Sequence, residues 1–143
     1  MLTILTGISS SSPALNAERI RLEVIAQNIA NANTTRGPDG RPYQRQQVLF
    51  ETVLNQQRSG QMGTAQPTSI QVASIQKDSR PPRVLHAPGH PDADAHGDVA
   101  VPNIDIHEEM ADLLTASRAF EANLAVIKNS KALALQALSI GKK

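Results

Sequence analysis

The sequence predicts a mainly α fold with a small β insertion, in which long N- and C-terminal helices pair as an antiparallel, coiled-coil-like hairpin around an irregular, partly β middle segment. Three observations predict it. Apolar residues recur at heptad spacing near both ends of the 143-residue chain, and the stretch between them changes to period-two alternation and turn formers. Aromatic content is only 2%, with no Trp, which is too little to fill a compact core of ordinary size. The divisions that follow are an N-terminal helix within 1–35, an extended loop and small β element over 36–104, and a C-terminal helix within 105–143.

The C-terminal helix is the organising element. With Ile106 as a d position, the register runs through Met110, Leu113, Ser117, Phe120, Leu124, Ile127, Lys131, Ala134 and Leu138, interrupted only at Ser117 and Lys131. At 1.5 Å per residue the rod is roughly 50 Å long. Asp105 and Glu108 have capping-box spacing, Gly141 suits the position just past the end, and Lys142 and Lys143 complement the helix dipole. Off the seam, Ala111, Ala119, Ala125, Val126, Ala132, Leu133 and Ile140 form a second apolar strip. A helix that is apolar on two sides needs cover on both, and one partner helix from the same chain covers one. The pattern therefore predicts lateral packing against other copies or sister subunits, with Val126 and Leu133 facing them.

The N-terminal segment carries a matching register, with Met1 as a, through Ile4, Ile8, Ser11, Leu15, Glu18, Leu22, Ile25, Ile29 and Ala32. Ser9 to Ser12 followed by Pro13 disfavour helix locally, so the firm helix is expected to begin near Pro13, with Ser12 as N-cap. Leu15, Leu22, Ile25 and Ile29 are the expected packing partners of Met110, Leu113, Phe120, Leu124, Ile127 and Leu138. Ala17, Ile20 and Val24 lie off this seam. The Asn-rich run Asn28–Asn33 reads as a C-cap and exit turn, because Asn tolerates left-handed geometry and competes for backbone bonds.

In the middle, Gly37–Gly40 is a turn. Val48, Phe50, Thr52 and Leu54 alternate with polar residues as a strand entered at Tyr43, and Ile70, Val72 and Ile75 suggest a second. Asn55–Ser69 is a polar loop with little to bury. Val84–Leu85 and Val99–Val101 suggest short strands beyond the Pro81–Pro82 turn.

The bulk numbers exclude several functions. Net charge is +1, so no strong field points to nucleic acid or an acidic substrate, and base-stacking platforms are missing. Without cysteine there is no thiolate chemistry. No apolar run reaches membrane-spanning length, so direct membrane insertion is not expected. The opening residues lack a basic segment and a sufficient apolar one, so no cleavable secretory signal is expected. His86, His90, Asp92, Asp94 and His96 are of metal-ligand type. Pro88, Gly89 and Pro91 prevent zincin geometry, and His96 and Asn103 spoil an EF-hand pattern. Structural turns are the simpler reading. No phosphate loop and no nucleophile–base pair is present, which predicts a chain that is not an enzyme and holds no cofactor.

Three motifs carry a family resemblance. Ala14-Leu-Asn-Ala-Glu-Arg-Ile-Arg-Leu-Glu-Val-Ile-Ala-Gln-Asn-Ile-Ala-Asn-Ala-Asn-Thr34 resembles the N-terminal signature of bacterial flagellar rod and hook proteins, and Tyr43-Gln-Arg-Gln-Gln-Val-Leu-Phe50 is similar to the segment that follows it. The loop of Pro88, Gly89, His90, Pro91, Asp92, Ala93 and Asp94, with Pro102-Asn103, Glu109-Met110 and Ala116–Asn123, resembles the proximal-rod members. His86, Asp98 and Phe120 stand where the resemblance implies tyrosine. It implies a structural subunit of the basal-body rod in the periplasm, exported through the flagellar type III apparatus. The partners would be other rod subunits and copies of itself, with terminal helices forming an inner tube and the β segment outside. Two readings from other classes are a metal-binding protein using the His86–His96 loop and a helical adaptor or chaperone of an export system.

Overall fold

A computed structural model of the chain describes residues 2–53 and 69–140. The leading Met1, the strand position Leu54, nearly all of the polar loop and the Gly141–Lys143 cap lie outside the described residues. Helix α1 spans Leu2–Ala30 and helix α2 spans Ile106–Ile140. Between them lie strands β1 (Gln46–Val53), β2 (Ser69–Lys77), β3 (Arg83–His86) and β4 (Asp98–Val101), which pair as two separate antiparallel hairpins, β1–β2 and β3–β4. The β1–β2 hairpin docks on α1, and α1 packs along α2.

Both helices are where the heptad spacing puts them, with one difference at the start. Helix α1 runs through Pro13, so the proline stands inside the helix and not in its first turn, and Ser12 is not its N-cap. Its exit is the expected Asn-rich turn, at residues 31–33. Asn31 N–H donates to the Gln27 carbonyl at 3.0 Å, and the Asn31 side-chain amide donates to the same oxygen at 2.9 Å. Among the described residues only Gly40 and Gly97 have positive φ, so Asn31 caps through its side chain and not through a left-handed backbone. At the start of α2, Asp105 Oδ1 accepts from the His107 N–H at 2.9 Å as an N-cap. Glu108 shows no return bond, and the inward-turning carboxylate is its neighbour Glu109.

The helices are antiparallel. Asn28 contacts Glu109, whereas Arg21, earlier on α1, lies near Asp112, later on α2. On α2 the line facing the protein is Glu109, Leu113, Ala116, Phe120, Asn123, Ile127, Ser130 and Ala134, all buried or half-buried. Leu113, Phe120, Ile127 and Ala134 are shared with the expected seam, but the alternate positions move back by one. Met110 is 50% exposed and Leu138 53% exposed, and Ile106 and Lys131 are exposed as well. Leu124 and Ser117 are half-buried beside the line. Leu138 lies in the last turn of α2, which has 35 residues against 29 in α1. On α1 the most buried side chains include Ala17, Val24, Ile25 and Asn28. Leu15, Leu22 and Ile29 are half-buried. Ala17 and Val24, expected off the seam, therefore lie inside. The rotation follows from what α1 must cover, because its inner surface meets α2 and the β1–β2 hairpin together.

The β1–β2 hairpin pairs Val48 with Ile75, Phe50 with Val72 and Thr52 with Ile70, with an irregularity between Leu49 and Phe50 that leaves Ala73 as the extra residue. The bulge keeps Val48, Phe50, Ile70, Val72 and Ile75 on one face of the pair, with Leu49 on the other. In the β3–β4 hairpin, Gly97 has φ +83°, and a Cβ there would stand 3.0 Å from Pro88 Cγ, so both the turn and its packing need glycine. Further buried residues come from the exit turn (Ala32), β4 (Val99) and the run into α2 (Pro102, Ile104).

Candidate assembly interface and the polar junction behind it

At the closed end of the helix pair, a polar junction joins α1, the run into β1 and α2. Glu109 is 0% exposed and Asn28 is 1% exposed. The Glu109 carboxylate accepts from Arg45 Nε through Oε1 and from Asn28 Nδ2 through Oε2 at 3.0 Å. Asn28 uses its whole amide. Nδ2 also donates to the Gln46 carbonyl at 2.9 Å, while Oδ1 accepts from the Gln46 N–H at 2.9 Å and the Tyr43 hydroxyl at 3.1 Å. An asparagine in helix α1 thus pairs with a strand residue as another strand would, which aligns the hairpin.

Charges continue outward in alternating sign. Arg45 lies 3.7 Å from Asp112, Arg21 lies 3.9 Å from Asp112 on its other side, and Glu18 lies 3.8 Å from Arg21. An open groove of about 460 Å³ runs beside this ladder, with Val24, Ile25, Val48 and Phe50 among its lining residues. Burial and, secondarily, the Glu109 carboxylate hold the Tyr43 phenol above its ordinary pKa. A raised folded-state pKa means that the protonated phenol's contribution is complete at neutral pH and is lost as pH climbs through the folded value. Tyr43 is the single tyrosine. Its phenolate absorbance should therefore appear at higher pH than that of free tyrosine, with helix loss following it, and Tyr43→Phe should abolish that alkaline step.

The second feature is the exposed side of α2. Val126 is 46% exposed and Leu133 56% exposed, and Ile140 continues the same strip at seven-residue spacing. Met110 and Leu114 form another exposed apolar group near the start of the helix. No described helix is long and apolar enough to cross a membrane.

The signature loop is a set of interlocked turns. His90 N–H donates to the Ala87 carbonyl and Ala93 N–H to the His90 carbonyl, both at 3.0 Å. These bonds close turns around Pro88, Gly89 and Pro91, and Pro88 packs beside Gly97. The Asp92 N–H donates to His90 Nδ1, and Thr35 Oγ1 donates to Asp92 Oδ2 at 2.8 Å, tying the loop to the segment that leaves α1. Asp94 accepts the N–H groups of Asp98 and His96, and these bonds hold its carboxyl below the usual carboxylate range. His86 Nδ1 lies 2.8 Å from Asp98 Oδ1, and the two residues are direct cross-strand partners. Two of the positions where the resemblance implies tyrosine thus meet as one cross-strand pair. Among the described residues no three His, Asp or Glu side chains converge as a metal site would require; the loop's carboxylates are taken up by turns and by Thr35.

The periodicity missed the junction altogether. Glu109 reads as surface beside Met110, and nothing local pairs it with Arg45, 64 residues away. The one clue is that Asn28, Arg45 and Glu109 each fall inside a motif that carries the family resemblance.

Comparison with known proteins agrees with those motifs. Residues 8–38 match the family model for flagella basal body rod proteins, and residues 96–140 match that for the flagellar basal body rod FlgEFG protein C-terminal region. The chain is 39% identical to the flagellar basal-body rod protein FlgC of Borreliella burgdorferi, over 96% of this chain and 97% of that one. It is 38% identical to FlgC of Yersinia enterocolitica and 34% identical to FlgC of Bacillus subtilis, each over 99% of this chain and 100% of the relative. With relatives this similar from end to end, the chain belongs to the FlgC family of flagellar basal-body rod proteins.

Proposed function

We propose that the chain is a structural subunit of the bacterial flagellar basal-body rod, without enzymatic activity, which builds into the drive shaft through its paired terminal helices. The observation that carries this reading is the exposed apolar strip of α2, in a chain whose relatives are named as rod proteins. Leu15, Leu22, Ile25 and Ile29 on α1 and Leu113, Phe120 and Ile127 on α2 hold the pair together, with Leu124 at its edge. Met110, Val126, Leu133 and Leu138 are offered to neighbouring subunits, whether copies of this chain or sister rod proteins. Passage through the flagellar type III export apparatus and a place in the periplasm follow from the same reading. The Pro88–Asp94 loop acts as a brace, because Asp92 binds Thr35 and lies 3.7 Å from Arg36, just beyond α1.

A strain lacking its own homologous rod protein, supplied with this chain carrying a tag, tests the proposal. The chain should be recovered in purified basal bodies and should restore motility. Recovery only as a soluble complex with other export substrates would identify an adaptor instead.

A further inference from the structure

We propose that Asn28, Arg45 and Glu109 form a register pin, which selects one alignment of α1 against α2 and so sets the height at which the outward strip is presented. The inference extends the rod reading. It starts from a weakness of the apolar seam. On α2, Leu113, Phe120, Ile127 and Ala134 recur every seven residues, and on α1, Leu15, Leu22 and Ile29 do the same. A slide by one heptad replaces apolar by apolar, so these contacts discriminate poorly between alignments. Such a slide moves one helix by roughly 10 Å along the other.

The junction discriminates where the seam does not. Glu109 is fully buried and both carboxylate oxygens are engaged, one by Arg45 and one by Asn28. Asn28 is in turn bound to both backbone groups of Gln46. In a pair slipped by one heptad, with Asn123 where Ala116 stands, Ala116 takes the place of Glu109, and the largely buried Arg45 guanidinium and the Asn28 amide lose their carboxylate, which is strongly disfavoured. Arg45 stands on the run into β1, so one interaction sets helix register and hairpin position together. The outward residues Val126 and Leu133 sit on the helix that the pin indexes. A slipped subunit would keep its fold yet offer its strip displaced from the neighbour's.

The test separates register from stability. Replacing a buried ion pair by apolar residues of similar volume is commonly neutral or stabilising, so Arg45→Met with Glu109→Met should keep helicity and Tm. The chain has no cysteine, which allows disulfide trapping. Ala17 and Ala116 are both buried, one turn beyond the Arg21–Asp112 pair on their helices. Ala17→Cys with Ala116→Cys reports the native alignment, and Ala17→Cys with Asn123→Cys reports an alignment one heptad away. With the pin intact, the first should cross-link at least about tenfold more than the second in dilute monomer. With the Met pair, the two should become comparable, and recovery in basal bodies should fall about tenfold or more. Native cross-linking alone in the Met pair would overturn the proposal. Should the Met pair not fold, Glu109→Gln, which preserves shape and an acceptor for Asn28, is judged by the same cross-links. The cross-links are read on the monomer, so they decide the pin independently of whether the chain enters rods.

Discussion

Arg45→Ala should destabilise the isolated subunit by about 3–5 kcal/mol, the cost typical of breaking a buried ion pair from one side. The size follows from what remains. The Glu109 side chain is 1% exposed and the Arg45 side chain 10% exposed, so water replaces the guanidinium only in part. Asn28 donates a single bond to the stranded carboxylate and has no charge to offer. Urea unfolding followed by circular dichroism measures the loss. Arg19→Ala is the matched control. Its partner Glu23 lies one turn along α1, and both side chains are 55% exposed, so its removal should change stability by no more than about 0.5 kcal/mol. Equal small effects from both substitutions would show that Glu109 is not held as a buried charge.

Val126→Asp combined with Leu133→Asp should leave the subunit folded and stop it from entering the rod. Both side chains are exposed in the single chain, so the carboxylates remain in water and stability should change by no more than about 0.5 kcal/mol each. In a packed interface, each substitution forfeits about 1.5–3 kcal/mol of apolar burial and adds the cost of desolvating a carboxylate. Together that weakens the contact by a factor of roughly one hundred or more. Ile127→Asp, on the line facing α1, should do the reverse and damage the helix pair itself. Secreted amount, recovery in basal bodies and swimming should be measured for each variant. A working rod built from the double variant would mean that the outward strip meets solvent or a tolerant gap.

The two outcomes divide along the line between what the sequence states and what the fold adds. Residue spacing alone was enough for two long terminal helices, a β-forming middle and a surplus apolar strip on α2, because these depend on periods of 3.6 and 2 that local sterics impose. It also sufficed for the four β segments, since Val48, Phe50, Ile70, Val72, Val84 and Val99 alternate in short runs closed by Gly and Pro.

Which alternate positions of α2 turn inward was decided only in three dimensions. A hydropathy pattern weighs Met110 above Glu109, because a carboxylate by itself belongs in water. In the folded chain Arg45 and Asn28 replace that water, so the helix rotates to bury Glu109 and exposes Met110. The same tertiary accounting brings Ala17 and Val24 inside, since α1 must serve both α2 and a hairpin. It also brings His86 and Asp98 together as cross-strand partners, which their places in the sequence, on either side of the Pro88–Asp94 loop, do not suggest. Propensity and period are properties of a few neighbouring residues and can be read along the chain. The partner that makes a buried charge tolerable is a property of chain distance, and only the closed structure supplies it.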